Sequence, residues 1–251
     1  MDQDAPPPLI SSLPDAEPIG ATMVAEWQPP RSGSLAWQQR LAERAAKLLR
    51  RSVKAVVIQV AGPDGGLTKE AHALLQDFLA DLMSIFITAA RLRAFTITPA
   101  TIEEVVDDVL KGELVRFAKS VGALAVARWT ASYAPPAASA GGARGGARGW
   151  GHKSRSQRAG LLVSVNLVER AMRAPPGMQV SQRAPIFLAV VLELLLAETL
   201  ELAGLQRAAR ISKHPALPPT PISVRDIFQA LLADEELRHL LLPLPLPATE
   251  E

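Results

Sequence analysis

RAPIFLAVVLELLLAETLELAG, residues 183–204, decides the fold. From Ile186 to Leu205 apolar residues fall on nearly every side of a helix, so no single buried face can hide them. A helix from Ala184 towards Arg210, about 25 residues, reaches almost 40 Å, and two short flanking helices cannot cover such a rod. A second long helix crossing it can. The chain supplies one from Thr68 to Arg93, where Ala71, Leu74, Leu75, Phe78, Leu79, Leu82, Met83, Phe86, Ile87 and Ala90 recur at three- and four-residue intervals. The length of Ile186 to Leu205 also suits a bilayer span, but Glu193, Glu198 and Glu201 lie inside it, and carboxylates near a bilayer centre are costly. The reading is therefore a protein-buried helix with no membrane partner.

Working outward, each long helix is flanked by shorter ones. Helix formers dominate from Leu35 to Val60, and Gly62-Pro63-Asp64-Gly65-Gly66 breaks that run. Thr98 followed by Pro99 is an N-cap and first-turn pair for the next helix, and another helix is expected from Glu113 to Trp129. Downstream, a short helix is expected from Ser164 to Arg173, then a loop through Pro175, Pro176 and Gly177, then the long helix. The proline-rich stretch His214 to Pro221 ends it, and Ser223 with Asp226 forms a capping pair for the last short helices. Five segments result: an extended acidic and proline-rich arm (1–34), a helical domain (35–133), a Gly/Ala/Arg/Pro linker (134–153), a second helical domain (154–242) and a proline-rich tail (243–251).

Composition narrows the function. A hydrophobic fraction of 48% excludes wholesale disorder, and the absence of cysteine removes disulfides and thiolate chemistry. The N-terminus lacks a positive region followed by an apolar run, so no signal peptide is expected. The net charge of +2 conceals a polarity: the arm carries five acids against Arg31, and the tail ends in Glu250 and Glu251, whereas both domains and the linker are basic. His72, His152, His214 and His239 are scattered without ligand spacing, and Gly62 to Gly66 lacks the Gly-Lys-Ser/Thr of a nucleotide loop. No nucleophile sits with a base, so no enzyme, cofactor or metal is expected.

Three blocks of the second half, RSQRAGLLVSVNLVERAMR (154–172), RAPIFLAVVLELLLAETLELAG (183–204) and DEELRHLL (234–241), resemble core histone 2A in order and near-spacing. PDGGLTKEA (63–71), DFLADLM (77–83), TITPATI (96–102) and KGELVRFAKSVGALAVARWTAS (111–132) resemble histone 2B. The order, 2B-like then 2A-like, is similar to the fused histone doublets of some large DNA viruses. The resemblance implies an all-α protein with two histone folds in one chain, paired as an intramolecular handshake heterodimer. It further implies a core histone doublet that packages double-stranded DNA through phosphate contacts without reading bases. Its partners would be a pair or doublet like histones 3 and 4, and a second copy of itself. Its place would be chromatin in the nucleus or viral factory, and the virion. A rival from another class is a histone-fold scaffold that binds proteins and wraps little DNA.

Candidate DNA-binding residues follow from the resemblance and from arginines near helix starts and loops, where free backbone N–H groups also favour phosphate. They are Arg155, Arg158, Arg170 and Arg173 in the 2A-like half and, by looser correspondence, Arg50, Arg51 and Lys54 in the 2B-like half. Arg91, Arg93, Arg183, Arg210 and Lys213 supplement them, because Leu167 and Gln179 stand where histone 2A carries arginine, Pro221 stands near its second-loop arginine, and the 2B-like second loop is short. Glu193, Glu198, Glu201, Asp234, Glu235 and Glu236 match the acidic patch of histone 2A, and Glu113 matches a 2B contributor. The resemblance implies that this surface binds basic tails or an arginine anchor.

Overall fold

The computed structural model describes residues 49–62, 66–132, 153–174, 177–213, 220–238 and 240, all within the compact unit Gln39–Glu251. The arm, the tail, His152, His214, His239 and the linker up to residue 152 lie outside the described residues. So does the expected helix start at Leu35.

The protein is all-α. Helix α1 is described over 49–61. It is followed by α2 (Lys69–Arg93), α3 (Pro99–Val109), α4 (Gly112–Ala131), α5 (Arg155–Ala159), α6 (Val165–Met172), α7 (Ala184–Lys213), α8 (Val224–Ala233) and α9 (Glu235–Arg238). Local chemistry sets the ends. The Thr68 hydroxyl accepts the Ala71 amide at 3.1 Å to start α2. Thr98 and Thr101 form a reciprocal capping box ahead of α3, with Pro99 in the first turn. The same device, Ser223 with Asp226, opens α8, as the spacing predicts. Ser154 with Gln157 opens α5, a separate short helix that the sequence pattern does not distinguish.

The two long helices form the centre. On α7, residues Ile186, Phe187, Leu188, Val191, Leu192, Leu195 and Leu196 are fully buried, and α7 packs against α2, α3, α4, α6 and α8. Each large apolar side chain removed from water this way contributes about 1.5 to 3 kcal/mol. The predicted stripe on α2 is buried from Ala71 to Ala90 except Leu74, which is half-buried at its margin. By length, hydropathy and scarcity of charge together, α2 is long and apolar enough to cross a membrane, but its apolar face is spent on protein contacts. Gly122 lets α4 lie close on α7: a Cβ there would stand 2.4 Å from the Phe187 ring.

Two short parallel pairings, neither expected from the sequence, join the halves. Strand β1 (Thr96–Ile97) follows α2 and pairs with β2 (Gln179–Val180), which precedes α7, in the register Thr96 to Gln179 and Ile97 to Val180. The Ser181 amide donates to the Ile97 carbonyl at 3.0 Å. At the opposite end Leu67, before α2, bridges Ile222, after α7. There the Thr68 amide donates to the Ile222 carbonyl at 3.0 Å, and the Ile222 amide to the Gly66 carbonyl at 2.9 Å. Each long helix therefore begins where the other ends.

Candidate nucleic-acid interface and acidic surface

The β1–β2 pairing gathers cations from both halves. Arg91 and Arg93 close the last turn of α2, just ahead of β1. The Arg91 guanidinium donates to the carbonyls of Ala171 and Met172 at 3.1 and 3.2 Å, so it caps the C-terminal end of α6. Burial lowers its pKa from the arginine value, and its Nε is buried without a hydrogen-bond partner among the described residues. Arg173 donates to the Val180 carbonyl at 3.1 Å and to Glu169 at 3.1 Å. Arg155 joins the same Glu169 and donates to Asn166, while Arg93 pairs with Asp108. Asp108 and Glu169 thus answer part of this charge. Arg170 and Arg183 are exposed, and their side chains make no hydrogen bond or ion pair with the described residues. Arg158, on α5, is half-buried.

A second group lies on α1. Arg50, Arg51 and Lys54 are exposed and are likewise unbonded among the described residues. Burial lowers the pKa of His72 and the charges of Arg50 and Lys54 add to that, against its own backbone hydrogen bond. This places the α1 cations beside the first turns of α2. His72 hydrogen-bonds Gln76.

The third position is occupied from within. Arg210 grips Asp226 with two hydrogen bonds, 3.0 Å from Nε and 2.8 Å from Nη2, and adds Thr220 Oγ1 at 2.9 Å. Asp226 is fully buried. Burial alone would raise its pKa, but the Arg210 hydrogen bond, the Ser223 amide and hydroxyl, and the Arg210 charge outweigh it and hold the carboxyl below its ordinary value. Arg210 therefore ties α7 to α8. The backbone of Lys213 ends α7, and its side chain lies outside the described residues.

The acids separate into two sets. Glu193 accepts the amides of Leu162 and Val163 at 2.7 and 2.9 Å, so it fastens the turn between α5 and α6. Burial raises its pKa, opposed by those two amides. Glu198 lies within electrostatic reach of Glu201, Asp234 and Glu236: burial first, then those three charges, raise its pKa. Glu236 accepts the amides of Glu113 and Leu114 at 2.8 and 3.0 Å. It caps α4, whose own N-cap, Lys111, provides no side-chain bond. Glu113 pairs with Arg116 at 3.0 Å. Asp234 accepts the Leu237 amide at 2.8 Å and starts α9, and Glu235 is exposed. The result is a ring of carboxylates around the first turn of α4, drawn from α7, α9 and α4, with Glu193 turned elsewhere.

No metal-holding cluster of His, Cys, Asp or Glu occurs among the described residues. Sequence reasoning did not find the structural roles of Arg91, Arg210, Glu193 and Glu236. Only the Ser223–Asp226 spacing signalled one participant. No protein-family model matches the chain.

Proposed function

We propose that the chain is a fused histone doublet, 2B-like then 2A-like, whose halves form an intramolecular handshake and package DNA without base-specific contacts. Together with a partner pair or doublet like histones 3 and 4, and with a second copy of itself, it would form a nucleosome-like particle in the nucleus or viral factory. The observation that carries this reading is the pair of parallel bridges, Thr96–Ile97 with Gln179–Val180 and Leu67 with Ile222. They make the loop before each long helix abut the loop after the other, and at the β1–β2 end cations from both halves are gathered. Backbone-directed contacts of this kind need only charge and spacing, and they weaken steeply with salt as counterions are released. The ring of acids around α4 would serve as the docking surface for basic protein segments.

The scaffold reading has its own support: Arg91, Arg93, Arg155, Arg173 and Arg210 are all bonded within the chain. Nuclease digestion of DNA reconstituted with this protein and a histone 3/4-like partner separates the two. A discrete protected length is expected for packaging; an absence of protection at low salt leaves the scaffold.

A further inference from the structure

Two large apolar side chains of α4 stand in solvent among the exposed polar residues Glu113, Arg116, Ser120, Arg128 and Thr130. Helix α4 buries Leu114, Ala118, Gly122, Ala125 and Trp129. About 120° round the helix from that buried face, Phe117, Leu124 and Ala131 follow one another at seven-residue spacing and are all exposed, Phe117 at 55% and Leu124 at 49%. That spacing keeps the three nearly in line on one face, the geometry of a helix-pairing seam. On one flank runs a groove of about 610 Å³ whose lining is mixed, with Ala123, Ala127, Ala131 and Phe187 beside Glu103 and Arg183. Glu113 begins the same line, and Glu236, which lies within electrostatic reach of Glu198, caps that end. From Glu113 to Ala131 the line is about 27 Å long at 1.5 Å per residue.

We propose that this face is a docking site for an amphipathic helix of a partner protein, about 18 residues long, with an apolar seam at heptad spacing and basic residues in the turn that reaches the acidic ring. Charge complementarity fixes the occupant: the seam supplies area, and the ring selects a partner that is cationic at one end only. A bare basic tail would satisfy Glu198 and Glu201 and leave Phe117 and Leu124 in water; a bare apolar helix would leave those two carboxylates unanswered. The inference rests on the reading of the acidic ring as protein-binding and adds the apolar half of its partner.

The test uses the full chain and two synthetic peptides of about 18 residues that share one terminal turn of arginines. One carries leucine at heptad spacing and the other glutamine at the same places. By fluorescence anisotropy the leucine peptide is expected to bind about tenfold or more tightly than the glutamine peptide. The double variant Phe117→Ser with Leu124→Ser, both exposed, is expected to reduce it to the glutamine level with an unchanged melting midpoint. Equal binding of the two peptides, or a double variant without effect, overturns the seam and leaves the acidic surface standing. Binding of neither overturns both. Self-association of the chain without peptide, abolished in the double variant, assigns the face to a second copy and also overturns the proposal.

Discussion

Arg210 and Asp226 stand sixteen residues apart, on helices whose packing brings a fully buried carboxylate against a guanidinium that is one-third exposed. Removing one partner of such a pair strands the other charge, which is where most of the cost arises. Arg210→Met is therefore expected to destabilise the fold by about 2 to 3 kcal/mol, below the cost for a wholly buried pair because Arg210 is partly hydrated. Chemical denaturation checks this. Asp226 has a depressed pKa, so its stabilisation is present above the ordinary carboxylate range and is lost as pH falls through the folded value. The difference between Arg210→Met and its parent should accordingly shrink in acid. The sequence contained half of this site: Ser223 and Asp226 at capping spacing are legible, whereas no local pattern points Asp226 at an arginine on another helix.

Helices were readable as elements because their causes are local. Stripes at three- and four-residue intervals, Thr98-Pro99 and Ser223-x-x-Asp226 set α2, α3 and α8 nearly where they lie. The two-residue strands were not readable, since two residues have no periodicity and their partners are more than eighty residues away. The acids divide for a geometric reason. Five residues along a helix turn Glu198 by about 140° from Glu193, whereas Glu201 lies only about 60° from Glu198. Glu236→Ala should cost α4 its cap, about 1 kcal/mol, with faster amide exchange at Glu113 and Leu114. Glu198 is the pH-sensitive member. With its pKa raised in the folded protein, its contribution is fully present below the ordinary carboxylate range and is lost as pH rises through the raised value. Glu198→Gln is expected to melt higher than its parent near pH 7 and to match it near pH 4, as read by thermal scans at both pH values.

At the scale of the molecule, the apolar circumference of Ile186 to Leu205 already demanded a crossing partner, and α2 lies against α7 as that demand predicts. What composition hid was how the cations divide. Some arginines hold helices together, while the side chains of Arg50, Arg51, Lys54, Arg170 and Arg183 remain exposed and unbonded among the described residues. Packaging assigns phosphate binding to this second group, and the most direct measurement is the salt dependence of affinity for duplexes of unrelated sequence. Arg50→Ala with Arg51→Ala, and separately Arg170→Ala with Arg183→Ala, are expected to reduce the slope of log affinity against log salt by about 0.9 for each phosphate that is no longer neutralised. The weakening should be the same on every duplex, with unchanged melting midpoints. An unchanged slope in both variants, or affinity that depends on base sequence, would contradict the account.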